Sequence, residues 1–277
     1  MPRVLLIGDH PEIRRGLEAA HALAGCEIVT AAGNFDAVRT VRSRAIDVVV
    51  TDPDTPVHDD LALVEELRAS RPGLKAIVLA PAAAPSEFIA AIRSHVFACF
   101  GAPFDITAVA DMTKRAIDAV DWRDGISLQS GLPNWISLTV SCQLITAERL
   151  VHFMSEYRRD LAEDDRDSLM TAFREMLMNA MEHGAGFDPE KVVHVTAVRT
   201  ERAIVYHFRD PGTGFTPSQL EQKALANVEA DPIAHIERRA EMGLRPGGFG
   251  ILVAKQLVDE MFYNERGNEV LLIKRLG

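Results

Sequence analysis

The chain has 277 residues, of which 47% are hydrophobic and 25% are charged, and its formal net charge is −10 at pH 7. This composition is typical of a globular protein with room for two domains. It contains no run of Lys or Arg that would provide a footprint for a phosphate backbone, so we expect no nucleic acid as a partner, and we expect no membrane partner either. The apolar run at 4–7 is too short for a signal peptide or a membrane span, and Cys26, Cys99 and Cys142 lack metal-ligand spacing. We therefore expect a cytoplasmic protein with reduced cysteines.

Residues 1–120 alternate short apolar runs with amphipathic stretches, which predicts five successive β-α units. Units of this length favour a doubly wound, five-stranded parallel sheet. A binding site in such a sheet lies at the carboxyl ends of the strands, where this sequence places Asp9 after the first strand and Asp52 after the third. The predicted strands cover 4–7, 27–31, 47–51, 75–80 and 96–100, and the predicted helices cover 11–23, 34–43, 60–69, 86–94 and 105–120.

Three segments of this half carry a resemblance to a known family: Leu5-Leu-Ile-Gly-Asp9-His-Pro11, Asp47-Val-Val-Val-Thr-Asp52-Pro-Asp-Thr-Pro56 and Ala98-Cys-Phe-Gly-Ala-Pro103-Phe. Over about 120 residues the chain resembles the receiver domain of bacterial response regulators. The resemblance implies an acidic site formed by Asp9 and Asp52, with Asp52 as the phosphoacceptor.

Three positions depart from the receiver pattern: Gly8 replaces the first acid, Ala80 replaces the hydroxyl residue and Ala102 replaces the lysine. Phosphoryl oxygens need a cation and hydrogen-bond donors around them, and both groups are missing here. We therefore expect a receiver-like domain with a degraded phosphorylation site. Asp52 is then either a structural remnant or an acceptor that needs the help of a partner.

The second half begins after a segment, 121–133, in which Gly, Ser and Pro interrupt the periodic pattern and predict an interdomain linker. Residues 134–277 predict a second domain that mixes strands and helices. The predicted strands cover 135–141, 192–200 and 203–210, and the predicted helices cover 146–158, 167–183 and 251–260.

Three motifs of this second domain predict a nucleotide site. The central helix carries Glu175 and Asn179 one turn apart on its polar face. The strand that follows ends in Asp210-Pro-Gly212-Thr-Gly214, a carboxylate acceptor before a tight turn. Gly247-Gly-Phe-Gly250 opens the last helix, whose N-terminus favours an anion. Each motif alone is explained equally well by a solvent-exposed face or a loop, but their order and spacing favour a common site.

The arrangement over about 133–277 resembles the GHKL ATPase superfamily, and within it the anti-sigma-factor serine kinases. The resemblance rests on Glu175-x-x-x-Asn179-Ala-x-Glu-His183-Gly, Asp210-x-Gly-x-Gly-Phe215, Gly247-Gly-x-Gly250-Ile and the tail 257–274. It implies an α/β sandwich that binds ATP and Mg²⁺. It further implies these roles: Asn179 binds Mg²⁺, Asp210 accepts from the adenine amino group, Gly212 and Gly214 pass close to the base, Gly247, Gly248 and Gly250 cradle phosphates, and Glu175 is the general base for a protein hydroxyl.

Three functions remain open. The first is an ATP-dependent protein serine/threonine kinase that acts on an anti-anti-sigma-like partner, with a sigma factor as a second candidate partner. The second is a histidine-kinase-like catalytic module, which is disfavoured because His152 lies between apolar residues and is followed by Phe rather than by an acid. The third is a non-enzymatic nucleotide-sensing module, against which Glu175 favours a kinase.

The receiver-like half also has an expected role that does not depend on Asp52. Its last predicted helix runs directly into the linker. We expect this half to position the second domain, either within a homodimer, which is implied only by the resemblance, or against a partner.

Overall fold

The computed structural model describes residues 1–82, 84–120, 122–214 and 250–276. These residues form two compact units. Within the described residues, the first unit comprises Met1–Ser127 and Glu148–Asp160, and the second comprises Leu128–Ala147 and the described parts of 161–277. The first unit therefore includes a segment, 148–160, that the sequence pattern assigns to the second half of the chain.

The first unit is built on a five-stranded parallel sheet in the order β2-β1-β3-β4-β5, which confirms the predicted doubly wound fold. Strands β3 and β4 are buried along their whole length, as expected for parallel strands covered by helices on both faces. The strands are β1 (Arg3–Ile7), β2 (Glu27–Ala31), β3 (Val48–Val50), β4 (Lys75–Ala80) and β5 (Ala98–Gly101), and the helices are α1 (Pro11–Ala19), α2 (Asn34–Ser43), α3 (Val57–Ser70), α4 (Pro85–Arg93) and α5 (Ile106–Asp118).

Helices α1 and α3 differ most from the predicted bounds. Helix α1 ends at Ala19 and a short 3-10 turn, His21–Leu23, follows where the pattern predicts continuous helix. Helix α3 begins at Val57, three residues earlier than predicted, directly after Pro56. The exposed Asp59 then falls in its first turn, where a carboxylate interacts favourably with the helix dipole.

Strand β5 lies at the edge of the sheet, and polar side chains from helix α6 (Leu144–Tyr157) and the turn after it bind its backbone. Because edge strands carry unpaired N–H and C=O groups, such a cover prevents pairing with another chain. Four side chains form the contact, and their spacing of three or four residues places them along one side of the helix: Arg149, His152, Glu156 and Arg159. They reach the carbonyl oxygens of Val96, Phe97, Cys99, Gly101 and Pro103 and the N–H of Gly101.

The most buried of these four side chains, which we call the α6 stripe, is Arg149, which is 1% exposed. Its guanidinium donates to the carbonyl oxygens of Val96 (3.0 Å) and Phe97 (2.9 Å) and forms an ion pair with Asp124. It also lies 5.1 Å from the ring centroids of both Phe97 and Trp122. A buried charge is tolerated only when it is paired and hydrogen-bonded, so these contacts fix the register of α6 against β5.

The second unit contains a six-stranded sheet in the order β10-β11-β9-β8-β7-β6, whose registered pairs from β7 to β10 are antiparallel. Strand β6 occupies the second half of the segment predicted as a linker. A short turn places it beside β7, and its alternating residues join the edge of the sheet there. The elements are β6 (Ile126–Leu132), β7 (Trp135–Ser141), α7 (Glu163–Asn179), a π turn (Ala180–Gly184), β8 (Val192–Arg199), β9 (Ala203–Arg209), α8 (Gly250–Leu257), β10 (Glu260–Tyr263) and β11 (Glu269–Arg275).

Helix α7 packs its apolar side on this sheet. The ring of Phe173 lies 4.9 Å from those of both Tyr206 and Phe208, which point inward from β9. The residues predicted from helical periodicity to share one apolar face are all buried: Leu169, Phe173, Met176, Leu177 and Ala180. Met170, Ala172 and Met178 are buried as well, and α8 packs against α7. The polar residues Glu175 and Asn179 are thereby held half-buried instead of facing open solvent.

No helix among the described residues combines the length and the apolar character needed to cross a membrane. Cys99 and Cys142 are buried free thiols and Cys26 is half-buried. Burial raises the pKa of Cys142 to about 11, so this thiol is protonated near neutral pH.

Candidate functional site

The C-terminal end of α7 organises the predicted nucleotide site. Glu175 and Asn179 lie one turn apart on this helix, and the chain then widens into the π turn Ala180–Gly184. Single π turns within helices often occur at functional sites. This turn leads the chain from Asn179 to Gly184, which lies against the second motif.

Asp210 packs directly on Gly184. A Cβ atom on Gly184 would lie 2.3 Å from the Cγ and Oδ1 atoms of Asp210, and one on Gly212 would lie 2.7 Å from that Oδ1 and 2.9 Å from the Cα of Gly184. The Oδ1 atom accepts a hydrogen bond from the N–H of Gly212 at 2.7 Å. Residues without a side chain are therefore required at 184 and 212 to seat this carboxylate. Gly184 ends the helix motif, where no local pattern predicts a role in the site.

The backbone of Asp210 is anchored by the turn between β10 and β11. The N–H of Asp210 donates to the carbonyl oxygen of Asn268 at 3.0 Å, and the Nδ2 atom of Asn268 donates to the carbonyl oxygen of Asp210 at 3.3 Å. The turn itself is organised by Asn264, whose Oδ1 accepts from the N–H groups of Gly267, Asn268 and Glu269 at 2.8, 3.1 and 3.2 Å. These hydrogen bonds hold the backbone of Asp210 in place.

The same turn clamps the loop after Asp210. The guanidinium of Arg266 donates to the carbonyl oxygens of Thr213 (3.3 Å) and Gly212 (3.2 Å). Gly214 has a φ of +79°, and a Cβ atom there would lie 1.9 Å from the carbonyl oxygen of Arg266, so only glycine fits. Sequence reasoning missed Arg266, Asn264 and Asn268, because a turn more than 50 residues away along the chain gives no local signal.

The electrostatics of Asp210 follow from this environment. Burial raises its pKa, while the N–H of Gly212 and the positive charge of Arg266 act in the opposite direction. The result is a desolvated carboxylate held by donors, which suits the recognition of an amino group by hydrogen bonding.

Gly250, the described residue of the third motif, lies next to α7. A Cβ atom on Gly250, the first residue of α8, would lie 2.3 Å from Oε2 of Glu175 and 3.7 Å from Nδ2 of Asn179. The start of α8 therefore lies next to the two polar residues of α7. Gly247 and Gly248 lie outside the described residues.

In the first unit, Asp52 contacts His10. The His10 Nε2 atom lies 2.9 Å from Asp52 Oδ1, which also accepts from the N–H of Asp54 at 2.9 Å. Asp9, the other predicted acid, is exposed. Gly8 leaves room for this contact, because a Cβ atom there would lie 2.6 Å from Asp52 Oδ2 and 2.9 Å from the His10 ring, and its φ of +91° suits glycine.

The positions expected to contact phosphoryl oxygens are apolar. Ala80 is fully buried, and Ala102 lines a cavity of about 410 Å³ together with Pro81 and Phe104. Asp60 lies beneath this end of the sheet and is 1% exposed. Burial raises its pKa to about 7, and the charge of Asp52 adds to this while the Thr51 hydroxyl opposes it.

Two family models match the chain: the response regulator receiver domain over residues 4–114 and the histidine kinase-like ATPase domain over residues 140–274. The curated relatives include the transcriptional regulatory protein GlrR of Escherichia coli K12, 26% identical over 47% of this chain and 30% of GlrR. PrrA of Mycobacterium tuberculosis is 26% identical over 42% of this chain and 50% of PrrA. NtrC of Escherichia coli K12 is 28% identical over 41% of this chain and 24% of NtrC. The chain spans half or less of the length of these relatives.

Solved structures that are similar to this chain include the receiver domain of HemR from Leptospira biflexa, 20% identical, with a TM-score of 0.39 over 44% of this chain and 99% of that chain. A CheY-like receiver domain protein from Methanospirillum hungatei is 19% identical, with a TM-score of 0.38 over 43% of this chain and 94% of that chain. The two family matches and the two observed sheets agree: the chain carries an N-terminal response regulator receiver domain and a C-terminal histidine kinase-like ATPase domain.

Proposed function

We propose that this signalling regulator is an ATP-dependent protein serine/threonine kinase that phosphorylates an anti-anti-sigma-like partner. The observation that supports it is the convergence of three motifs at the end of α7. Gly184 contacts Asp210, and Gly250 contacts Glu175 and Asn179. Parts that are far apart in the sequence thus come together around one helix terminus.

The residues present fit an adenine nucleotide with Mg²⁺. The carboxylate of Asp210, seated on Gly184 and Gly212, would accept the adenine amino group. The side chain of Asn179 offers the amide oxygen that Mg²⁺ binds readily. When bound, Mg²⁺ would neutralise charge on the phosphates, and the protein would contribute mainly positioning, as in other phosphoryl transfers.

Glu175 is the proposed general base. It lies one helical turn before Asn179 and beside Gly250, so it would face the terminal phosphate from the same side as the metal ligand. In the transfer, Glu175 takes the proton of a partner Ser or Thr hydroxyl, and the hydroxyl oxygen bonds to the γ-phosphorus. The bond from that phosphorus to the β,γ-bridging oxygen breaks, and ADP leaves.

His152 is a poor acceptor for a histidine-kinase reaction. Its Nε2 donates to the carbonyl oxygen of Cys99 at 2.9 Å, and its ring lies 4.3 Å from that of Phe100. Burial lowers its pKa to about 4, so the ring is neutral and engaged in packing. This observation favours transfer to a separate protein over autophosphorylation at His152.

The test is incubation of the full chain with Mg²⁺ and γ-labelled ATP together with purified anti-anti-sigma-type domains. We expect acid-stable label on a Ser or Thr of the partner, and none with the Glu175→Gln chain. Acid-labile label would indicate transfer to His or Asp and would contradict the proposal. ATP binding without any transfer would instead support the nucleotide-sensing alternative. Light scattering of the same mixtures, with and without a sigma factor, tests the proposed homodimer and the second partner.

A further inference from the structure

We propose that Arg266 keeps Asp210 in the role of a hydrogen-bond acceptor and thereby makes the nucleotide site prefer a 6-amino purine over a 6-oxo purine. This inference rests on the proposed nucleotide site, but it concerns a residue of the turn between β10 and β11, outside the three predicted motifs. Arg266 acts on the base only through Asp210, so it is a positioning residue.

The protonation state of Asp210 determines which purine it can bind. An ionised carboxylate only accepts hydrogen bonds, whereas a protonated carboxyl group also donates one. Adenine carries an amino group at its 6 position, which donates, and a 6-oxo purine carries a carbonyl oxygen there, which accepts. A carboxylate therefore pairs with adenine and repels the 6-oxo purine, and protonation removes most of this discrimination.

Burial works against the carboxylate form of Asp210, and two groups oppose it. Burial raises the pKa of Asp210, while the N–H of Gly212, which donates to Oδ1 at 2.7 Å, and the charge of Arg266 both lower it. Both opposing effects depend on Arg266. Its guanidinium carries the charge, and it also donates to the carbonyl oxygens of Gly212 (3.2 Å) and Thr213 (3.3 Å). The N–H that stabilises the carboxylate thus belongs to a loop that Arg266 holds in place.

The geometry of Arg266 requires an arginine. The guanidinium has its N–H donors in a fixed plane, so Nε and Nη2 bind two successive carbonyl oxygens at once, which the single ammonium group of a lysine does not reproduce. The carbonyl oxygen of Arg266 lies against Gly214, where a Cβ atom would be 1.9 Å away. Arg266 therefore holds the loop 212–214 through its side chain at one end and through its backbone at the other.

The other titratable groups around Asp210 do not replace this charge. Tyr263 on β10 and Cys142 after β7 both interact with the charge of Asp210. Burial raises the pKa of both groups, that of Cys142 to about 11, so both are neutral near neutral pH. The π turn adds Glu182 and His183 beside Gly184. These two residues are the same in all the chains compared below, so their charges cancel in the comparison.

The experiment measures the dissociation constants of ATP and of inosine triphosphate, a 6-oxo analogue, each with Mg²⁺. Calorimetry on the full chain covers the range from about pH 5 to pH 8. The unchanged chain should prefer ATP. Arg266→Met keeps the apolar part of the side chain and loses its charge and its donors. We expect its preference for ATP at the lower pH to fall by about tenfold, the size of a charge-assisted hydrogen bond.

The pH profile separates this role from simple support of the loop. Without the charge of Arg266 the pKa of Asp210 rises, so the pH below which ATP affinity decreases should move upwards in Arg266→Met. Arg266→Lys keeps the charge and loses the planar pair of donors, so it should restore part of the preference. Arg275→Gln is the matched control, because Arg275 is 69% exposed and pairs with Glu260 at the other end of β11. It should bind both nucleotides as the unchanged chain does.

The outcomes distinguish this inference from the nucleotide site itself. If Arg266→Met has the nucleotide preference and the pH profile of the unchanged chain, the role of Arg266 is overturned and the site remains. Equal weakening of both nucleotides at every pH would show support of the loop alone and would overturn it too. If the unchanged chain binds neither nucleotide, this inference and the proposed site are both wrong. Because the readout is binding, a chain that binds ATP without transferring phosphate still tests Arg266.

Discussion

The carboxylate of Asp210 lies against the backbone of Gly184, at a distance that leaves no room for even a methyl group between them. Gly184 ends the π turn after α7, and Asp210 follows β9. This contact joins the helix that carries Glu175 and Asn179 to the strand end proposed to read adenine. The two halves of the nucleotide site therefore depend on one glycine.

Replacing this glycine should disable the site. In Gly184→Ala the added Cβ would lie 2.3 Å from Asp210 Cγ, and Asp210 cannot retreat because Asn268 holds its backbone. We expect a loss of ATP affinity of at least about tenfold and a destabilisation of about 1–3 kcal/mol, typical of overpacking. Calorimetry and urea unfolding measure both. Gly73→Ala, where a Cβ meets nothing within 4 Å, is the control and should bind ATP normally; equal affinities would contradict the expected role of Gly184.

The two polar residues of α7 should separate binding from transfer. Asn179→Ala is expected to abolish Mg²⁺-dependent ATP binding, since it removes the metal ligand. Glu175→Gln is expected to keep binding and to lose transfer, since the amide cannot accept the hydroxyl proton. Calorimetry with ATP and Mg²⁺, followed by a transfer assay, distinguishes the two. Transfer by Glu175→Gln at the unchanged rate would show that another group is the base.

The receiver domain should not form a durable aspartyl phosphate with small phosphodonors. Ala80 and Ala102 offer no hydroxyl or cation, and Asp52 is already paired with His10. Intact-mass measurement after treatment with acetyl phosphate should show no added phosphate. A stable mass increase of one phosphate that disappears in Asp52→Asn would refute this prediction.

His152 should make the protein less stable in mild acid. Its pKa is about 4 in the folded chain against an ordinary value of 6.5, so the unfolded chain binds more protons between these values. The free energy of unfolding therefore falls as the pH drops from about 6.5 to 4, by roughly 1–3 kcal/mol from this residue. His152→Gln keeps a donor for the Cys99 carbonyl but does not titrate. Urea unfolding of both chains across this range should show a smaller decrease for the variant, and parallel curves would exclude the effect.

Asp60 should make the protein less stable as the pH rises, the opposite of the effect of His152. Its pKa is about 7 in the folded chain and 3.8 as a model carboxyl, so the folded chain binds more protons between these values. Stability from this group is thus highest near pH 4 and decreases as the pH rises through 7. Asp60→Asn should be more stable than the unchanged chain by about 2–4 kcal/mol at pH 8, with the difference shrinking towards pH 4. A difference that stays constant with pH would contradict the assignment.

The local sequence pattern predicted most of the helices and strands. Strands β2, β4 and β7 have the predicted bounds, because alternation and apolar runs reflect burial of consecutive residues. Strand β6 was missed, since its seven residues include Gly and Ser and become a strand only through pairing with β7. The stripe on α6 was also missed, because its polar residues pair with backbone groups about 50 residues earlier.

Local patterns predicted the two fold classes and the order of the nucleotide motifs, because periodicity and glycine spacing are properties of neighbouring residues. Which side chains meet depends instead on how the whole chain folds. The fold places the His10 ring against Asp52, where the absence of a side chain at Gly8 leaves room for it. It also seated Asp210 on Gly184 and fixed it through Asn268. Contacts of this kind depend on backbone direction and close packing across dozens of residues, which local sequence patterns do not encode.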